Sequence, residues 1–145
     1  MNSAAAVRTV ATRAMPARIG PRVLVAEEDV RFRTELCSAL ARDGYEVVAV
    51  RDGTELVEYI GSTLLEERDS VDLMISGVRM PGWTGLQALA ALRSVDWTIP
   101  VILMTTDADD DIAREARRLG AAYMFEKPFE VDDLCMAARC MVPPS

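Results

Sequence analysis

VDLMISGVRMPGWTGLQALAALRS, residues 71–94, decides the fold. Its first six residues are an apolar run of the length of one buried strand, and its last eleven read as a helix. Between them GVRMPGW holds two glycines and a proline, the composition of a loop. Strand, loop and helix in that order make up most of a βα unit, and the same pattern recurs on both sides.

Upstream, RVLVA (22–26) has the character of a buried parallel strand. EEDVRFRTELCSALARDG (27–44) follows as a helix, with Phe32, Leu36, Ala39 and Leu40 at helical spacing and Gly44 at its end. YEVVAV (45–50) is a second strand. In RDGTELVEYIGSTLLEERD (51–69) the chain turns at Asp52-Gly53, and Thr54 is placed to cap a helix whose apolar face carries Leu56, Tyr59, Ile60 and Leu64. Downstream, IPVILMTT (99–106) is a strand with a proline at its start. DDDIAREARRLGA (109–121) is a helix whose acidic first turn suits the helix dipole, which favours that reading of Asp109, Asp110 and Asp111 over a calcium loop. YMFE (123–126) is a fifth strand and VDDLCMAARCMV (131–142) a fifth helix, with Leu134, Ala138 and Met141 on one face. Five βα units in succession predict a parallel sheet between two layers of helices.

Half of the 145 residues are hydrophobic, enough for one domain with a substantial core, and no apolar run is long enough to span a bilayer. The net charge of −7 conceals an asymmetry: residues 1–22 carry four arginines and no acid, and the rest carries 12 bases against 23 acids. So acidic a body is a poor match for nucleic acid. Cys37, Cys135 and Cys140 lack metal-ligand spacing, the chain has no histidine, and all three thiols are expected to be reduced and to serve packing in a cytoplasmic protein. Residues 1–21 are basic and rich in alanine, a composition also found in transit peptides. They are expected to form a disordered tail outside the domain of residues 22–142, with 143–145 a C-terminal tail or the start of a linker.

In a parallel sheet of this kind, ligands bind beyond the carboxyl ends of the strands. Glu27, Glu28 and Asp29 follow the first strand, Gly77 the third, Thr105 and Thr106 the fourth, and Lys127 the fifth. Acids, hydroxyls and a lysine at one edge are the parts of a metal-assisted phosphoryl-transfer site. Ser76 neighbours the loop, but alternation along a strand turns its hydroxyl to the other face.

The motifs VLVAEED, DLMISGVRMPGWTG, IPVILMTT and FEKPF, in this order and register, resemble the receiver domain of two-component response regulators over residues 22–141. The resemblance implies a flavodoxin-like (βα)5 sandwich with strand order 2-1-3-4-5. It also implies roles for individual residues. Glu27 and Glu28 stand where receivers place two acids that organise Mg²⁺, with Glu28 one methylene longer than the aspartate usual there. Thr105 matches the switch hydroxyl, Met124 the usual switch aromatic, and Lys127 the lysine that pairs with the phosphoryl group, followed by Pro128 in a bond the family holds cis. Gly77 falls on the phosphoacceptor aspartate. A glycine has no side chain to accept a phosphoryl group or to give a metal the oxygen that the aspartate would, so weak Mg²⁺ binding at most is expected, with no catalytic residue and no other cofactor.

This reading is an atypical receiver that acts by protein–protein interaction. Lys127 is expected to pair with Glu27 or Glu28, and Arg79 either to enter the acidic pocket as a resident cation or to lie solvated on the loop. The expected partner surface is the face of the fourth helix, fifth strand and fifth helix, and the expected partners are a histidine kinase, a phosphotransfer protein, an output domain or a second copy, with no nucleic acid or membrane involved. Two alternatives are phosphorylation at an unconventional residue, such as Glu27, Glu28 or Thr106, and a pocket that senses a cation or small ligand.

Overall fold

The computed structural model describes residues 7–9, 20–66, 70–107 and 109–144. Six strands and five helices follow one another as β1 (Val7–Thr9), β2 (Arg22–Ala26), α1 (Val30–Arg42), β3 (Glu46–Val50), α2 (Gly53–Glu66), β4 (Leu73–Gly77), α3 (Gly85–Ser94), β5 (Val101–Thr105), α4 (Asp110–Arg118), β6 (Tyr123–Glu126) and α5 (Val131–Met141). The strands form one parallel sheet in the order β1-β3-β2-β4-β5-β6. The five strands expected from sequence stand in the order 2-1-3-4-5, and β1 is an addition at the outer edge of β3. Residues 1–21 were expected to lie outside the fold. Val7–Thr9 instead pair in register with Val47–Ala49, and the other residues before Gly20 lie outside those described.

The central strands read as continuous apolar runs because both sheet faces are covered. On one face Val23, Val25, Val47, Ile75, Ile102 and Met104 pack against Leu36 and Leu40 of α1 and Leu134 and Ala138 of α5. On the other, Leu24, Val48, Met74 and Leu103 pack against Leu56 and Ile60 of α2, Leu89 and Leu92 of α3, and Ala116 of α4. Of the expected α2 face, Leu56, Tyr59 and Ile60 are buried, but Leu64, in the last turn, is exposed while its neighbour Thr63 is buried. Cys37 and Cys135 are packed inside, whereas Cys140 is exposed, contrary to the packing role expected of it.

Local chemistry sets the helix boundaries. Asp29, not a pocket acid, caps α1 by accepting hydrogen bonds from the Arg31 and Phe32 amides. Asp52, two residues ahead of the expected Thr54, accepts from the Glu55 amide at the start of α2. Thr84 and Gln87 form a reciprocal capping box on α3, and Asp109 caps α4. At the amino edge of the sheet, Arg22 and Glu46 form an ion pair 2.8 Å long, with side chains 1% and 0% exposed. The guanidinium also donates to the Ser70 carbonyl, and the Arg22 amide donates to Asp72. Arg93 fastens the same end by donating to the carbonyls of Trp97, Ile99, Leu119 and Gly120.

Candidate functional site

The carboxyl ends of β2, β4, β5 and β6 converge on one acidic pocket. Glu27 continues β2 by one residue, its amide donating to the Val50 carbonyl 3.2 Å away. Its carboxylate is buried and each oxygen has a partner: Oε1 lies 2.8 Å from Lys127 Nζ, and Oε2 accepts from the Asp29 amide at 3.0 Å. Lys127 is positioned from the other side of the sheet, its amide donating to the Thr105 carbonyl at 2.7 Å. The ammonium also lies 4.7 Å from the centroid of the Phe32 ring, a cation–π distance. Phe32, expected only to pack, therefore does two things: its ring meets Phe129 edge-on at 5.5 Å and roofs the lysine. Helical spacing in the sequence marked Phe32 as apolar, but no sequence signal marked it as a partner of Lys127. The Lys127-Pro128 peptide is cis, as the resemblance implied.

Gly77 ends β4 between those two elements. Its backbone is outside the left-handed region, so nothing in its conformation requires glycine. A Cβ at this position would meet Met80 Cγ at 3.5 Å, the Arg79 carbonyl oxygen at 3.8 Å and Glu27 Oε1 at 3.8 Å, all ordinary contacts. A Cβ fits there, within contact distance of the Glu27 carboxylate. Other glycines of the same loop are different. At Gly82, with φ 84°, a Cβ would overlap the Thr54 hydroxyl, and at Gly85 it would overlap the Gly77 carbonyl oxygen. Loop geometry accounts for those two glycines and not for Gly77.

The remaining expected residues are distributed around this centre. Thr105 is buried and its hydroxyl accepts from the Asp107 amide at 3.1 Å, which ties it to the loop after β5. Arg79 does not enter the pocket; its guanidinium lies 3.6 Å from the Asp107 carboxylate, with both side chains mostly in solvent. Glu28 is exposed at the rim, as is the capping Asp29. Ser76 is buried, and its hydroxyl donates to the Gly77 carbonyl at 2.9 Å. Met124 packs partly against the α2–α3 side of the core and lines a pocket of about 260 Å³ between α4 and β6, together with Ala116, Ala121 and Tyr123.

A resident divalent cation would need several oxygen donors here. Glu27 is committed to Lys127 and the Asp29 amide, position 77 supplies no side-chain oxygen, and Glu28 is left as the available carboxylate. Among the described residues, no group of three His, Cys, Asp or Glu side chains is arranged to hold a metal ion. Nor do the buried thiols offer a nucleophile, since burial pushes Cys37 up to about 12 and Cys135 up to about 11.

Residues 23–139 match the model of the response regulator receiver domain. The chain is 34% identical over 127 residues to the transcriptional regulatory protein PdtaR of Mycobacterium tuberculosis, covering 87% of this chain and 58% of that protein. It is 25% identical to sporulation initiation phosphotransferase F of Bacillus subtilis, covering 84% of this chain and 94% of that one. Among solved structures, the receiver domain of the Francisella response regulator 1452 superposes with a TM-score of 0.74 at 23% identity, covering 83% of this chain and 95% of that one. No helix among the described residues is long and apolar enough to cross a membrane. Family match, sheet order and the placement of Glu27, Thr105 and Lys127 agree: the chain belongs to the response regulator receiver domain family.

Proposed function

We propose that this receiver signals by protein–protein interaction without aspartyl phosphorylation. One observation carries the reading: at residue 77, where the resemblance puts the acceptor, stands a glycine whose backbone leaves room for a Cβ. Phosphoryl transfer to a carboxylate needs an oxygen nucleophile in line with the donor and a cation to neutralise the transferring group. Position 77 offers no nucleophile. Lys127 is already neutralised by Glu27, so the cation that would meet a phosphoryl group is spent on a pairing within the domain. Mg²⁺ is bound weakly at most on this reading.

What remains is a receiver whose conformation does not depend on a phosphoryl group, paired with a partner in a two-component pathway. The partner surface is the face of α4, β6 and α5, where Tyr123, which lines the same pocket as Met124, and Met136 of α5 are exposed large apolar side chains. Exposed aromatic and methionine side chains are the usual anchors of such contacts.

A second reading draws on the placement of Glu27. Its Oε1 lies within 3.8 Å of where a residue-77 Cβ would be, so this carboxylate stands closest to the missing acceptor. Acceptance at Glu27 would require Lys127 to release it first.

Beryllofluoride, a mimic of an acyl phosphate, distinguishes these readings. With Mg²⁺ and beryllofluoride, amide resonances of Thr105, Lys127 and Met124 are expected to stay in place. Saturable shifts at all three would overturn phosphorylation independence, and their loss in Glu27→Gln would assign the acceptor to Glu27.

A further inference from the structure

The three-residue strand β1 has no counterpart among the five strands that build the receiver sheet, and its position has a consequence for assembly. The Glu46 amide donates to Pro21 and the Val50 carbonyl accepts from Glu27, so residues 46, 48 and 50 direct their backbone polar groups toward β2. By alternation, Val47 and Ala49 direct theirs outward. β1 lies in register with them, Val7 opposite Val47 and Thr9 opposite Ala49. Without β1, an apolar and β-branched strand, EVVAV, would present two unpaired donors and two unpaired acceptors at a sheet edge.

That edge is self-complementary. A two-fold axis through Val48 sets Val47 against Ala49 of a second copy in antiparallel register, and each such pair exchanges two hydrogen bonds. All four outward groups of each copy would then be satisfied, and two sheets would become one. We infer that the outer edge of β3 is a self-association surface, which the N-terminal strand of the same chain covers. The partner is a second copy of this chain, joined β3 to β3.

Charge and reach both favour the cover. Residues 1–21 contribute Arg8, Arg13 and Arg18 and no acid to a chain whose remainder carries 23 acids against 13 bases. From Thr9, opposite Ala49, to Gly20, which sits against the Gly44 carbonyl, the chain must return about 17 Å along β3. Ten residues are more than long enough for that distance, so chain length permits the strand to pair within its own copy. β1 itself makes a blunt edge, being short and carrying an arginine at its centre. Salt weakens the attraction of the basic segment and also screens the repulsion between two acidic bodies, so it should act on both sides of the balance in the same direction.

The test uses the full chain with Arg8→Pro and Thr9→Pro, adjacent substitutions that remove a backbone donor of each parity from β1. Sedimentation velocity and amide exchange at Val47 and Ala49 are read together. Wild type should be monomeric with both amides protected. The variant should show a rise in mass toward twofold that grows with concentration and with salt. Adding Ala49→Pro, which removes an outward donor without touching the bonds to β2, should return it to monomer with unchanged circular dichroism. Unprotected Val47 and Ala49 amides in wild type would overturn the cover. Fast exchange at those amides in a variant that stays monomeric would overturn self-association, as would a dimer that Ala49→Pro leaves intact.

Discussion

Two ion pairs tie strands together at opposite ends of the sheet, and they differ in what surrounds them. At the amino edge, Arg22 and Glu46 join adjacent strands β2 and β3 with side chains 1% and 0% exposed, and the guanidinium finds a further acceptor in the Ser70 carbonyl. At the carboxyl edge, Lys127 reaches from the end of β6 past β5 and β4 to Glu27, with side chains 23% and 4% exposed. The first pair closes a finished structural contact. The second lies where the strand ends converge, and it spans β4, which ends at Gly77. The amino end is closed by a pair sealed from solvent, and the carboxyl end carries its pair in a partly open pocket.

The contrast can be broken at either end. Glu46→Ala leaves the Arg22 guanidinium buried without its carboxylate, and a loss of about 3–5 kcal/mol is expected from urea unfolding. Gly85→Ala drives a Cβ into the Gly77 carbonyl oxygen, for a loss of about 1–3 kcal/mol by the same measurement. Lys127→Met removes the partner of a buried carboxylate that keeps its bond to the Asp29 amide, so the cost should be smaller than at Glu46, about 1–2 kcal/mol. Gly77→Ala should go the other way. Its Cβ meets only ordinary contacts in a backbone open to any residue, and the restriction of the unfolded chain should raise stability by about 0.4–1 kcal/mol. A large loss in Gly77→Ala would mean that this glycine is structural and that the contrast with Gly85 is false.

The smallest effect concerns the thiols. Cys37 is raised from 9.0 to about 12 by burial, so the folded protein retains a proton there that the unfolded chain sheds. Stability from this source is fully present below pH 9 and declines as the pH rises toward 12. At neutral pH native alkylation should therefore modify the exposed Cys140 and spare Cys37 and Cys135, as peptide mapping would reveal.

Much of this architecture is legible in the sequence because the strands are short apolar runs and the helices carry apolar residues at helical spacing. RVLVA, VDLMIS and IPVILMTT could hardly be anything but buried strands, and the glycine at 77 is visible once the motifs around it are in register. What escaped has physical reasons. β1 is three residues inside an alanine- and arginine-rich segment, and pairing with β3, not intrinsic pattern, makes it a strand. Asp29 looked like a third pocket acid because it follows two others, yet an aspartate just before a helix is drawn to the free amides of the first turn. Asp52 and Thr54 are both fit to cap, and the backbone turn decided between them. The Arg22–Glu46 pair and the Arg93 staple join residues far apart in the chain, a relation that a single sequence does not display.

The central claim is that the pocket is silenced by the absence of one acceptor side chain. Intact-protein mass spectrometry after incubation with acetyl phosphate and Mg²⁺ tests it most directly, with wild type and Gly77→Asp treated in parallel. The account predicts no phosphoryl adduct on wild type and one acid-stable, hydroxylamine-labile adduct on Gly77→Asp. A single adduct of the same kind on wild type, mapped to the pocket, would contradict it.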